Sequence, residues 1–152
     1  MYIWVTLAVV LILDRVSKFL VQSNMALFDS IVVIPHFFHL TYIQNPGAAF
    51  GILSGQRWLL IIISIIFLGA LIYFQKFVPP EQKLIRICMG LVGGGGLGNL
   101  IDRLAYGQVI DFLDFKVWSY IFNVADSCLV VGGILLAFLH LRLDKQVKPE
   151  KK

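Results

Sequence analysis

Asp14, Asp102, Asp111, Asp114 and Asp126 all stand within or beside strongly apolar runs of this chain. An ionised side chain deep in a membrane-spanning helix costs roughly 2.5–3.5 kcal/mol, so acids in such places are functional candidates by default. Two carboxylates held close together cannot both ionise easily, and the pair then shares a proton. The ionised partner can take a proton from water, while the protonated partner polarises a carbonyl and later protonates the leaving amine. That chemistry hydrolyses an amide. Asp111 and Asp126 form the best pair, one in a connection and one near the start of an apolar helix, with a short stretch of chain returning to the same place. Asn45, Asn99 and Asn123 offer amides that bind a substrate backbone or fix the acids, and Arg103 can hold an acid or a carbonyl through its fork of donors.

The spacing groups these residues. Asp14 and Lys18 are four apart and share a helix face; Asn99, Asp102 and Arg103 recur at i, i+3 and i+4, as do Asn123, Asp126 and Ser127. Other chemistries fit less well. Ser127 with Lys18 as base needs a neutral lysine, yet Asp14 lies one turn away. A channel or carrier would spread polar groups through the bilayer depth. A lipid-handling transferase would use the aspartates to hold Mg²⁺. Gly90, Gly94 and Gly98 read as a small-residue packing stripe, and Gly93 to Gly96 is no phosphate loop. Cys88 and Cys128 sit in apolar runs and are expected to be inert. His36 and His39 have no third ligand nearby in sequence, and His140 falls near a helix end.

The elements that position these groups follow from composition. Of 152 residues, 59% are hydrophobic and 14% charged, with mean hydropathy +0.84; an ordinary soluble domain has about 25% charged residues. The chain is expected to be an all-α integral membrane protein forming a single membrane-embedded domain over residues 1–152. Runs of roughly 20 apolar residues predict four transmembrane helices over 2–21, 58–76, 84–104 and 122–141. The first lacks a basic n-region and is read as retained rather than cleaved. Ser30 to Ile34 and Phe37 to Ile43 are rich in β-branched and aromatic residues, and Asn45-Pro46-Gly47 reads as a turn. A small extracytoplasmic β-cradle over about 29–54, between the first two helices, is therefore predicted.

Charge orients the chain. Four spans put both termini, the 75–83 connection and the 142–152 tail on one side, which holds eight bases, with Arg86 at the adjoining helix end counted, against three acids. The remainder holds five bases against six acids. The basic side should be cytoplasmic. The excess positive charge therefore orients the protein in its membrane and gives no indication of nucleic-acid binding. With that topology, Asp14, Lys18, Asn45, Asn99, Asp102, Arg103, Asp111, Asn123 and Asp126 all come to one depth near the outer boundary.

Five elements carry a family resemblance: Asp14-Arg15-Val16-Ser17-Lys18, Asn45-Pro46-Gly47-Ala48-Ala49-Phe50-Gly51, Gly98-Asn99-Leu100-Ile101-Asp102-Arg103, Val109-Ile110-Asp111-Phe112-Leu113-Asp114 and Phe122-Asn123-Val124-Ala125-Asp126-Ser127. In this order and spacing, covering nearly the whole chain, they resemble the bacterial lipoprotein signal peptidases (signal peptidase II, aspartic peptidase family A8). The resemblance implies an endopeptidase of the bacterial cytoplasmic membrane that removes the signal peptide from diacylglyceryl-modified prolipoproteins, just before the lipid-bearing cysteine. It implies a catalytic pair at Asp111 and Asp126, and substrate-binding or supporting roles for Asp14, Lys18, Asn45, Gly47, Asn99, Asp102, Arg103 and Asn123. No metal or organic cofactor is implied. The expected partners are prolipoproteins and membrane lipid, and a monomer is expected. Arg15 stands where an uncharged polar residue is expected, and Gln44 where a basic one is frequent.

Overall fold

A computed structural model describes residues 1–48 and 52–147. Four helices follow the apolar runs: α1 (Tyr2–Asn24), α2 (Arg57–Phe74), α3 (Lys83–Ala105) and α4 (Val124–Val147). A single 3-10 turn, Gln75–Phe77, extends α2 before Pro79 and Pro80, which cannot continue a helix. The helix bounds sit close to the predicted ones, except that residues 121 and 122 are strand and α4 begins at Val124. The segments Arg57–Phe77, Lys83–Ala105 and Val124–Arg142 are long and apolar enough to cross a membrane. The first helix matches them in length with 23 residues but carries Asp14, Arg15 and Lys18.

The four consecutive glycines of α3 explain how the helices meet. Successive residues on a helix point about 100° apart, so between them the four glycines face all three other helices. A Cβ at Gly93 or Gly96 would touch Leu71, or Phe67 and Leu68, of α2; at Gly94 it would sit 2.7 Å from Val10 Cβ of α1; at Gly95, 2.9 Å from Leu129 of α4. Gly90 meets Ile3 and Thr6, Gly94 meets Leu7 and Val10, and Gly98 meets Asp14, so α1 and α3 run in the same direction. The contacts of α3 with α2 and α4 run in opposite order. The chain therefore alternates in direction, with α3 at the centre.

The sheet is larger than the sequence suggested. It has four antiparallel strands in the order β1-β2-β3-β4: β1 (Ser30–Ile34), β2 (Phe38–Asn45), β3 (Val109–Phe115) and β4 (Ile121–Phe122). The expected cradle over 29–54 is thus corrected. Its strands end at Asn45, residues 49–51 lie outside the described residues, and the α3–α4 connection supplies the other half. The physical reason is burial on both faces of β3, where Val109, Ile110, Asp111, Phe112 and Asp114 are all buried; the polar–apolar alternation of a half-exposed strand is then missing. Ile110 and Phe112 pack with Tyr42 against Val21 and Met25 at the end of α1. Alternation sends Asp111 to the opposite face. The β2–β3 register shifts between Leu40 and Ile43, immediately before Ile43 pairs with Asp111.

Gly94→Ala should destabilise the detergent-solubilised protein by about 1–3 kcal/mol, because the new methyl has no room against α1. Gly133→Ala, which meets nothing within 4 Å, should be neutral or slightly stabilising. Thermal unfolding of the two variants tests this, and equal losses would rule out close helix approach as the role of Gly94.

Candidate active site

Two polar networks converge where α1, α3, β3 and α4 meet. The first is made of charges. Asp14 and Asp102 are fully buried and Lys18 is 1% exposed. Lys18 Nζ lies 3.0 Å from Asp14 Oδ2 and 2.7 Å from Asp102 Oδ2. Arg15 Nη2 approaches the same two carboxylates at 3.0 and 2.5 Å. Two acids and two bases thus balance inside the bundle, as buried ions require. Gly98 makes this possible: a Cβ there would lie 2.5 Å from Asp14 Oδ2.

The second network is made of amides. Asn123 is the N-cap of α4: its Oδ1 accepts from Asp126 N at 2.8 Å, while Asp126 Oδ2 accepts from Asn123 N at 3.4 Å. This reciprocal pair is a capping box with aspartate at its third helical position. The same Asn123 donates through Nδ2 to Asp111 Oδ1 at 2.6 Å. Asn45 donates to Asp111 Oδ2 at 3.0 Å, and its Oδ1 accepts from Gly47 N. Asn99 donates to Asp126 Oδ1 at 2.7 Å, and its Oδ1 accepts from Lys18 Nζ at 3.2 Å. Each asparagine oxygen is engaged by a group that can only donate, a backbone N–H or an ammonium. The amide orientations are therefore fixed by the network, and all three Nδ2 atoms point at a carboxylate of Asp111 or Asp126.

Asp111 is only 1% exposed. Burial pushes its carboxyl up to about 7, the negative charge of Asp126 acts in the same direction, and the donors Asn45 and Asn123 oppose it. Asp114, three residues on, behaves in the opposite way. Against the upward pull of burial, Lys116 and Thr41 hydrogen-bond it and hold it below the usual carboxylate range. Strand neighbours of the same residue type therefore differ in proton affinity, and only Asp111 is poised near neutrality.

Asp126 is partly exposed and faces a cavity of about 450 Å³, within the range of ligand pockets. Asn45, Asn99 and Arg103 share its polar wall; Ile43, Val109, Tyr120, Ile121, Phe122, Leu129 and Val130 make the rest largely apolar. Arg103 donates to Gly47 O at 3.0 Å and to Asn99 O at 3.4 Å, and its buried Nε has no acceptor among the described residues.

The profile of the Signal peptidase (SPase) II family, peptidase A8, matches residues 6–142. The chain belongs to the signal peptidase II family. It is 49% identical to the lipoprotein signal peptidase of Desulfitobacterium hafniense (strain DSM 10664 / DCB-2), covering 99% of this chain and all of that one. It is 43% identical to the lipoprotein signal peptidase of Pelotomaculum thermopropionicum, covering both chains in full. A solved bacterial membrane enzyme, determined by the in meso method at 2.3 Å resolution, superposes with a TM-score of 0.87 at 41% identity, covering 99% of this chain and 93% of that one. Membership makes this chain an aspartic peptidase that removes signal peptides from prolipoproteins.

For this signal peptidase II relative, the site residues expected from the sequence divide between the two networks. Asp14, Lys18 and Asp102 form the charged one; Asn45, Asn99, Asn123, Asp111 and Asp126 the amide one; Gly47 and Arg103 close the cavity side. Ser127 Oγ is turned onto Asn123 O at 3.0 Å, and Lys18 is occupied by two acids, so the two do not form a Ser-Lys pair. The sequence reading missed Arg15 and Arg57. Arg57 donates to Arg103 O and Leu104 O, satisfying the end of α3. Gly98 was read as packing alone, although its place beside Asn99 in the motif is what admits Asp14. Ala49, Phe50 and Gly51 of the second motif lie outside the described residues.

Removing one partner of a buried ion cluster leaves an uncompensated charge. Lys18→Met should therefore cost about 3–5 kcal/mol of stability, measured by denaturant unfolding in micelles. A loss below about 1 kcal/mol, the scale of an exposed ion pair, would place Lys18 outside the buried cluster.

Proposed function

We propose that this chain cuts diacylglyceryl-modified prolipoproteins just before the lipid-bearing cysteine, with Asp111 and Asp126 as the catalytic pair. The observation that carries the assignment is Asn123, which hydrogen-bonds Asp111 with its side chain and Asp126 with its backbone. One residue thus ties together two carboxylates from different elements. The pair shares one proton. Its ionised member takes a proton from water as that water attacks the scissile carbonyl, and its protonated member polarises the carbonyl and then protonates the leaving amine. Asp126 meets the substrate from the cavity wall, and Asp111, held on both oxygens, tunes and exchanges the shared proton. Arg103, which lines the same cavity, holds a substrate carbonyl. Two carboxylates and a water suffice for this sequence of steps.

The same reading takes all four helices as spans. The charges of α1 are no obstacle, because Asp14, Arg15 and Lys18 are neutralised against Asp102 within the bundle. Both termini are then cytoplasmic, and the sheet and the acids lie at the outer face of the bacterial inner membrane. The substrate fits that depth. Its acyl chains hold the cysteine at the membrane surface, its signal peptide is itself an apolar helix, and the cavity walls are apolar. The enzyme is proposed to act as a monomer.

Asp111→Asn and Asp126→Asn should each abolish cleavage of a purified lipidated precursor, followed by mass in the presence of EDTA, while leaving a folded protein, since the amide is nearly isosteric but cannot ionise. Near-normal turnover by either variant would remove that residue from the pair. The active form needs one shared proton, and raising the pH through the elevated value of Asp111, about 7, removes it. The kcat profile of the native protein should therefore fall on its alkaline side; a rate still rising beyond about pH 9 would exclude the shared proton.

Sidedness has its own test. In a background with Cys88 and Cys128 replaced, cysteines introduced at Asp29, Gln108 and Lys116 should react with an impermeant thiol reagent added to cells whose outer face is accessible. A cysteine at Gln82 should react only after the membrane is opened. The reverse pattern would discard the topology.

A further inference from the structure

A second cavity lies at the end of the bundle opposite the acid pair. Because the helices alternate in direction, the C-terminus of α2, the N-terminus of α3 and the later turns of α4 share that end. From residue 126 to residue 140 a helix rises about 21 Å, so the two cavities lie toward opposite surfaces of the membrane. This one measures about 550 Å³, between the α2–α3 connection and α4, within the range of ligand pockets. Phe77, Val78, Ile85 and Leu136 make its walls apolar, and Gln82 and His140 are polar members of its lining. α2 packs on α3, and α4 packs on α3 and α1. The cavity is therefore the space left between two helices that a third one joins.

The surroundings of this cavity are basic. Residues 74–86 and 136–142 hold Lys76, Lys83, Arg86 and Arg142 against one acid, Glu81. Arg86 is committed to the chain turn beside the cavity: Nη2 donates to Val78 O at 2.5 Å and Nε to Pro79 O at 3.2 Å. Lys83 Nζ lies 5.7 Å from the Tyr2 ring centroid, and Arg142 Cζ 4.5 Å from that of Phe138. Among the described residues, none of the four bases pairs with a carboxylate. Lys76, Lys83 and Arg142 are exposed.

Bases that only orient a membrane chain need no cavity among them. An apolar cavity beside unanswered cations, at the level of the headgroups, fits a lipid that carries net negative charge. A zwitterionic lipid would fill the walls but leave the excess charge unmet. We infer that this cavity binds an anionic phospholipid of the cytoplasmic leaflet, with its phosphate held by Lys76, Lys83 and Arg142 and an acyl chain seated between the α2–α3 connection and α4. The choice of leaflet rests on the orientation proposed above; the binding itself does not.

The test titrates the full chain in detergent micelles with dioleoylphosphatidylglycerol and, separately, with dioleoylphosphatidylcholine, which has the same acyl chains. Bound lipid is read by native mass spectrometry and its effect by thermal unfolding. Phosphatidylglycerol should bind more tightly and raise the unfolding temperature further. Each base near an anionic lipid contributes about fivefold in affinity. The triple variant Lys76→Gln, Lys83→Gln, Arg142→Gln should therefore bind phosphatidylglycerol on the order of a hundredfold more weakly, with phosphatidylcholine binding unchanged. Leu136→Trp narrows the cavity and leaves the bases in place; displacing one or two acyl methylenes should weaken phosphatidylglycerol about fivefold or more. Lys116→Gln, on the sheet at the other end, should bind both lipids as the native protein does. Equal binding of the two lipids, a triple variant that keeps the preference, or a Lys116→Gln variant that loses it would each overturn the site. So would undiminished phosphatidylglycerol binding by Leu136→Trp, or an equal thermal shift from inorganic phosphate alone, which would make the ligand a free anion. Should Leu136→Trp fail to fold, the lipid comparison and the exposed triple variant still decide. A cysteine at Gln82 that labels from outside would reverse the leaflet while leaving the micelle result in place, so the two failures are distinguishable.

Discussion

Asp14 and Asp102, both cut off from solvent, can remain charged only where bases meet them at hydrogen-bond distance. That requirement organises the molecule around the site. The acids come from α1 and α3, and the bases Arg15 and Lys18 both come from α1. The two helices must therefore approach until side chains of one reach past the backbone of the other. Gly90, Gly94 and Gly98 supply that approach, and at Gly98 the space a Cβ would fill is taken by the Asp14 carboxylate itself. A packing motif and a charged cluster that look unrelated in the sequence are one device.

Once neutral, the cluster has acceptor capacity left over, and it is spent on the elements that carry Asp111 and Asp126. One lone pair of Asp14 reaches the first turn of α4, and one of Asp102 reaches the start of β3. Lys18 gives its third contact to Asn99, which fixes that amide and turns its nitrogen to Asp126. The capping box of Asn123 and Asp126 does the same work locally, because the side chains that start the helix also aim the carboxylate. Stability and orientation share the same bonds here, so no member of either network can be exchanged for an apolar residue without leaving a partner unsatisfied.

Much of this was legible in the sequence. Four helices could be read from apolar run length, and the convergence of Asp14, Asn99, Asp102, Asn123 and Asp126 from their spacing together with charge asymmetry. What could not be read has physical causes. The strand at Val109–Phe115 is buried on both faces, so the alternation that marks a strand was absent, and its two acids looked like loop composition. Arg15 could be read only as a charge where an uncharged polar residue is expected, because its second carboxylate, Asp102, comes from α3 and no spacing within α1 announces it. The orientation of each asparagine depends on donors from three other elements, and no spacing rule encodes that.

The mixed architecture follows from the same constraints. A helix cannot easily deliver a second carboxylate opposite Asp126, because the first turn of α4 already faces α3 and α1. A strand can, since alternation lets Ile110 and Phe112 anchor in the apolar cluster formed with Val21, Met25 and Tyr42 while Asp111 turns the other way. A lone strand would leave its backbone groups unpaired. Pairing β3 with β2 on one side and with β4 on the other satisfies them, and β2 also brings Asn45 to Asp111. The sheet is therefore the smallest addition to a helical bundle that supplies a second acid, hydrogen-bonds its backbone and fixes its carboxylate.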